Sequence, residues 1–425
     1  MGGLYGILHL SSVQTWIIKK ATNSLSKQLN TRVSIDKVDF SFFYKLEFQH
    51  LLIEDQQKDT LLYAGAARVD LNDWFFAKDK IILKYVGLED AVINAKRSEA
   101  VWNYQFILDF LDKNPSNQKK SNQIQLDLKE LQLKNIKLNY IDRWIGRDMI
   151  AGIQLLNASF KKADINQLSF EIEKIKLSNP SFAQRDYDGK RPADYKKQTS
   201  KNSSPIAEQN QPSFQLSIKK VILENGLYQN DRTTKRAPYH DQFDGFHFQF
   251  NSIDGELTNV TFKDDKLNAK VKLSGKEING LSIHKIEADM NFTPRLMEFN
   301  NLDLITNHSH IRDYYAMNYQ SFNEDMIDFI TNVKIESRFR NSIVSSDDIA
   351  IFAPELKDWN KTFDVEGEMN GTINNFEARK LKIKTGSSYV NGDLKIRGIP
   401  DIDSMYITFN TSGSQSNLKE LTPIV

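Results

Sequence analysis

The segment DKLNAKVKLSGKEINGLSIHKIEADMNF, residues 265–292, alternates apolar and polar positions. Leu267, Ala269, Val271 and Leu273 take every second place, and Ile286, Ala288, Met290 and Phe292 do the same. Period two predicts strands with one oily and one wet face. TRVSIDKVDFSFF, LEFQHLLIED, FQLSIKKVILENG, FDVEGEMNGTIN, YVNGDLKIRGI and MYITFN repeat the pattern. Helical spacing is rarer. Residues 11–30 read as one amphipathic helix, with Val13, Trp16, Ile17, Leu25 and Leu29 at three- and four-residue steps. Lys19, Lys20 and Lys27 fall elsewhere on it, and Ser11 or Ser12 can cap it. A second helix is expected in VWNYQFILDFLDK, where Phe106, Ile107, Phe110 and Leu111 share a face. A short third is expected in SSDDIAIFAPEL, capped by Ser346 and limited by Pro354.

An internal repeat runs through the strands. YVGLEDAVIN, ELQLKNIKLN, KIKLSNPSFA and KVILENGLYQ align on Leu88, Leu133, Leu177 and Leu223, in steps of 45, 44 and 46 residues. Looser copies follow at Leu304 and Ile383, at nearly double the step. A fixed period predicts stacked supersecondary units and an elongated body. Two stretches, 112–123 and 183–212, have almost no apolar residues and read as mobile loops or insertions.

A dry sheet face must be covered. A second sheet can cover it, the sheet can close into a barrel, or it can curl into a trough and hold hydrocarbon from elsewhere. The common period weighs against separate sandwiches. Uneven strand lengths weigh against an outer-membrane barrel. In a trough, on the order of 25 strands at about 4.8 Å each would span roughly 120 Å. Leu, Ile, Val, Phe and Met dominate the dry register, as an acyl-chain lining requires.

Composition narrows the chemistry. With 56 basic and 55 acidic residues the net charge is +1, which argues against a dedicated nucleic-acid binder. There is no cysteine, which removes disulfides, thiol catalysis and cysteine-held zinc. His308 and His310 form an H-x-H pair near Asp303 and Asp313, read as polar-face histidines rather than metal ligands. His240, Asp241, Asp244 and His247 read as a hairpin turning at Asp244-Gly245. Asp347 and Asp348 sit where a helix start favours negative charge. No nucleotide-binding loop or protease signature appears, and no enzyme, metal or cofactor is expected.

The first block, VQTWIIKKATNSLSKQLNTRVSIDKVDFSFFYKLEFQHLLIEDQQKDTLLYAG, resembles the N-terminal region of TamB-type members of the AsmA-like superfamily, particularly those of Bacteroidota. The matching positions are Thr31, Val33, Ile35 and Asp36, then Phe42, Phe43 and Leu46. Ile53, Asp55, Asp59, Thr60, Leu61 and Leu62 follow. Near the other end Gly367, Gly371, Ile373, Asn375, Gly392, Asp393, Leu394, Gly398 and Asp401 match the family's glycine-punctuated hairpin and strand. The resemblance covers residues 10–110 and 330–425 well, and the middle in style only.

The resemblance implies a periplasmic, inner-membrane-anchored groove that carries phospholipid between inner and outer membranes, with an outer-membrane barrel partner of the BamA-like type. It also implies a part in assembling outer-membrane proteins. The anchor and the partner-binding region are expected to be missing from this chain, a fragment. Residues 1–10 read as a remnant of the anchor or as a disordered start. The expected fold is mainly β: an elongated, curled antiparallel sheet forming an open hydrophobic groove, with the 11–30 helix capping it and one or two small helices. Residues 31–425 form the repeating groove. Its expected lining is Leu267, Val271, Leu273, Met290, Phe292, Met369, Ile373, Leu394, Ile396, Ile407 and Phe409. Trp16, Ile17, Lys19 and Lys20 are expected to cap the sheet or lie in a membrane interface. Two other readings stand beside lipid transport: a folding helper that pairs its edge strand with nascent barrel strands, and a structural β-array with a self-filled core.

Overall fold

The computed structural model describes residues 19, 22–41, 45–71, 80–113, 123–164, 167–192, 213–399, 401, 404–417 and 420. The protein is mainly β, 66 % strand and 9 % helical, built on curled sheet. It divides into two compact units, Met1–Arg236 and Ala237–Val425.

The first unit begins with helical residues 22–29. Their end is tied down by side chains: Ser26 Oγ accepts from Val33 N at 2.9 Å, and Gln56 Nε2 donates to Leu29 O at 2.9 Å. Strands β1 (Val33–Ser34) and β2 (Lys37–Ser41) both pair with β3 (Lys45–Glu54). Then come β4 (Thr60–Leu71), β5 (Lys80–Arg97), β6 (Gln123–Asp142) and β7 (Arg147–Asp164). Strands β8 (Ser169–Ser178) and β9 (Ser181–Asp186) lie end to end between β7 and β10 (Gln215–Arg232).

The expectation of an antiparallel sheet holds for most of this unit but not all. Strand β5 runs parallel to β6, and β8 and β9 run parallel to β10. Parallel neighbours need a long crossover, and the two polar stretches read as loops are where those crossovers run. The first carries the expected second helix, Gln105–Lys113. Residues 112–113 are therefore helix and 123 is strand, while 114–122 lie outside the described residues. In the second stretch 183–186 belong to β9, and Tyr187, Lys190 and Arg191 donate backbone hydrogen bonds to Gly146, Arg143 and Trp144. Residues 193–212 lie outside the described residues, as do 1–18 and Lys20, so Trp16 and Ile17 go undescribed. Lys19 is helical and exposed.

The repeat has a physical basis. Leu88 pairs with Leu133, Leu133 with Leu156, Leu156 with Leu177 and Leu177 with Leu223, so the four aligned leucines stand in one row. Two residues beyond each lies a kink: Asp90, Asn135, Asn179 and Asn225 all have φ between 49° and 54°. Asparagine and aspartate tolerate this left-handed backbone better than other residues with a Cβ. Their side chains also bond along the row, Asn135 Nδ2 to Asp90 Oδ1 at 2.8 Å and Asn225 Nδ2 to Asn179 Oδ1 at 2.5 Å.

The second unit is a ten-strand meander in which each strand runs antiparallel to the next. It comprises β11 (His247–Lys263), β12 (Lys266–Glu277), β13 (Ser282–Thr293), β14 (Leu296–Ile305) and β15 (His310–Asn318). After these come β16 (Lys334–Ser345), β17 (Thr362–Thr372), β18 (Asn375–Thr385), β19 (Ser388–Arg397) and β20 (Tyr406–Gln415). Every pair contains a register shift, and bulges of this kind bend and twist a sheet. At Gly371 (φ 137°) a Cβ would stand 2.4 Å from Asn375 O, so only glycine fits that close strand contact.

Short helices fill two connections: Phe322–Asp325 and Phe329–Asn332 between β15 and β16, and Ser346–Ala350 after β16. The last is the expected third helix with its cap one residue earlier. Ser345 Oγ, not Ser346, accepts from Asp347 N at 3.2 Å. Asp347 and Asp348 occupy its first turn as expected, and Pro354 opens a separate 3-10 turn, Pro354–Leu356. The Asp244-Gly245 hairpin does not form, because no strand precedes β11 there. Asp244 is buried and holds a loop instead, accepting from Tyr239 N and Phe246 N at 3.0 Å each.

Candidate functional site: the apolar face of the second unit

Residues directly opposite across an antiparallel pair project to the same face, so the strand registers trace rows over β11–β20. One row runs Phe262, Leu267, Phe292, Met297 and Met317, taking one residue from each strand. It continues through Ile335, Gly371, Phe376, Ile396 and Ile407. The adjacent row starts with Ala269, Met290, Phe299 and Tyr315, passes Ser337, and ends with Met369, Ala378, Leu394 and Phe409. Ten positions in the first row and nine in the second carry no charge.

Eight of the expected lining residues fall on these two rows: Leu267, Met290, Phe292, Met369, Leu394, Ile396, Ile407 and Phe409. Val271 and Leu273 lie on the same face farther along β12, opposite Ala288 and Ile286. Ile373 does not join them. Strand β17 ends at Thr372 and Ile373 sits in the turn to β18, because the strand alternation stops at the Asn374 bend. Alternation alone missed Phe262, Met297, Phe299, Met317 and Phe376. Each sits in a strand whose period is blurred by a bulge or by neighbouring Asn and Glu, and only the register brings them into line.

The size of the buried side chains is informative. In a two-layer domain the large apolar residues at the centre are covered. Here, among the described residues, the buried apolar side chains are Ala, Val, Leu and Ile with Tyr319, and no Phe, Met or Trp. Val271 is 5 % exposed, whereas Ile407 is 50 % and Phe409 37 % exposed. The other lining residues are half-buried.

The opposite face carries charge in cross-strand pairs. Lys270 meets Asp289 at 3.5 Å, Lys272 meets Glu287 at 3.9 Å, and Lys382 meets Glu366 at 3.0 Å. Lys285 also bonds Asp303. Such exposed pairs contribute at most about 1 kcal/mol each; their main effect is to keep this face wet. His308 and His310 belong to this polar side of the chemistry and turn to different carboxylates. His308 Nδ1 lies 3.3 Å from Asp348 and His310 Nε2 2.5 Å from Asp303. Among the described residues no group of three His, Cys, Asp or Glu side chains could hold a metal ion.

One end of the apolar face is finished by Phe243, Phe248 and Phe352, with Phe243 ring centroids 5.5 Å and 5.2 Å from the other two. The alternation of β12 puts the buried Glu277 on this face. Burial pushes its carboxyl above the ordinary range, against backbone N–H groups of Asn279, Gln249 and Ile278 that favour the anion. A carboxyl raised in the folded state adds stability that is full below its unfolded pKa and is lost as pH rises through the folded value. Glu277→Gln is therefore expected to flatten this slope. Thermal melts at pH 4.5 and pH 7 check it: wild type should lose more stability than the variant between the two, and equal losses would refute the assignment.

No helix among the described residues is long and apolar enough to cross a membrane. No family model matches this chain, and no curated protein does either.

Proposed function

We propose that the apolar face of β11–β20 binds the acyl chains of phospholipid while headgroups stay in water. On this reading the chain is a stretch of a periplasmic conduit between inner and outer membranes, anchored to the inner membrane and meeting a BamA-like barrel at the far side. One observation carries the reading: two adjacent rows stay free of charge and almost wholly apolar strand after strand, and their Phe and Met side chains remain part-exposed. The family resemblance of residues 10–110 and 330–425 points the same way. Each acyl methylene taken from water contributes about 0.8 kcal/mol, and no polar recognition is needed to hold the chain. Native mass spectrometry of protein released gently from cell envelopes tests this. Phospholipid adducts are the expected result, and protein that stays adduct-free after incubation with phospholipid vesicles would overturn it.

A second reading, pairing with nascent barrel strands, draws on β20. Among the described residues this strand pairs only with β19, and Tyr406 on it is largely exposed. Site-specific crosslinks from the β20 edge to unfolded barrel protein, with no lipid adduct, would favour it over transport.

A further inference from the structure

The two apolar rows are interrupted by polar atoms at one place. Tyr315 and Ser337 are direct cross-strand partners between β15 and β16, near the middle of the meander. Every other residue in those rows is aliphatic, aromatic hydrocarbon, methionine or glycine. Ser337 is 3 % exposed, and its Oγ has no hydrogen-bond partner among the described residues. Tyr315 has no hydroxyl partner there either, and burial alone pushes its phenol up to about 12, so it stays protonated and able to donate. Buried hydroxyls in folded proteins are normally paired, since an unpaired one loses its water without compensation. Ser337 is such a buried, unpaired hydroxyl, and the part-exposed Tyr315 hydroxyl belongs to the same cross-strand pair, so the two put donors without a protein acceptor on a hydrocarbon-lined surface.

We infer that Tyr315 and Ser337 receive the ester carbonyl of a diacyl glycerolipid whose chains lie on the flanking rows. This rests on the acyl-chain reading and narrows it. A free hydrocarbon offers no acceptor, whereas a glycerolipid places its ester oxygens at the head of the chains. The rows on either side supply hydrocarbon contact, with Phe299 and Met290 toward β13 and Met369 and Leu394 toward β19. Met369, the register partner of Ser337, is unbranched and can give way as the carbonyl enters. Tyr315 is the outer donor and Ser337 the inner one. The hydroxyls fix where along the face the head of the lipid rests; they do not supply the bulk of the affinity.

The test compares dioleoyl phosphatidylcholine with its diether analogue, which has the same chains and headgroup but no carbonyl. Binding of each, in fluorescently labelled form, is titrated against the whole chain. Two neutral hydrogen bonds are expected to favour the ester by about tenfold. In Tyr315→Phe with Ser337→Ala the ester affinity is expected to fall to that of the ether. Circular dichroism and thermal melts establish that the double variant is folded, and each single variant repeats the titration if it is not. Equal binding of ester and ether by wild type would overturn the ester site and leave the acyl-chain reading standing. Binding of neither lipid would overturn both.

Discussion

Met369→Asp combined with Leu394→Asp is expected to strip bound phospholipid from the protein and leave the sheet folded. Both residues are half-buried and lie in one row, Met369 opposite Ala378 and Ala378 opposite Leu394. Two carboxylates there end hydrocarbon contact over about three methylenes. At ~0.8 kcal/mol each this is roughly 2.4 kcal/mol, on the order of 50-fold in affinity. Desolvating the charges would add to the loss. Because neither side chain is fully covered, the carboxylates can reach water in the empty protein, so the cost to folding is modest. Val271→Asp is a poorer choice on this ground, since Val271 is buried and a charge there would act on the fold itself. Asn370→Asp with Thr408→Asp is the matched control, placing two negative charges in the adjacent row on the opposite face. Lipid adducts counted by native mass spectrometry should vanish in the first pair and persist in the second. Equal retention in both pairs would show that the lipid sits elsewhere.

Asp142→Ala is expected to cost the first unit about 3 kcal/mol. Asp142 is fully buried at the end of β6 and accepts from Arg97 Nε and Nη2 at 2.8 Å and 2.6 Å. It also accepts from Ile145 N at 3.2 Å, which shapes the β6–β7 turn. Arg97 is clamped from the other side by Trp102, whose ring lies 4.8 Å away and packs on Tyr140. The hydrogen bond to Asp142 raises the Arg97 pKa, and even without it a guanidinium stays protonated at ordinary pH, so its charge cannot be shed when the partner is removed. Truncation leaves a largely buried cation unpaired, and Arg97 keeps enough contact with water to hold the cost near the lower end for broken buried pairs. Asp142→Asn keeps the shape and part of the bonding and should cost less. Urea unfolding followed by tryptophan fluorescence reads the difference, since Trp102 stacks on the affected group. A loss below about 1 kcal/mol for the alanine variant would mean that the bridge adds little to folding.

The period-two signal made the β architecture legible because side chains on a half-wet sheet must alternate. It failed to reveal strand direction. Leu88 and Leu133 align equally well whether their strands run parallel or antiparallel, and only the length of the connection carrying the Gln105–Lys113 helix hints at a crossover. The 45-residue step was readable because a leucine followed by a similar polar turn recurs, yet the kink two residues beyond each leucine, at an Asn or Asp with positive φ, was visible only in the backbone. On the apolar face, clean alternation found Leu267, Met290 and Phe292. Bulges after Asn300 in β14 and after Phe339 in β16 break the phase of those strands, so no single fixed period runs their length. The hydroxyl pair could not be read from sequence at all. Tyr315 and Ser337 are 22 positions apart, and only pairing across β15 and β16 makes them neighbours.

The Asx ladder has a consequence for how such a chain can change length. Each module of about 45 residues brings its own bend, and two of the three junctions bond side by side, through Asn135–Asp90 and Asn225–Asn179. A duplicated module would insert as one more rung with its curvature built in, and its neighbours would need no redesign. The sheet can therefore be widened in whole rungs, as a ladder is extended by splicing.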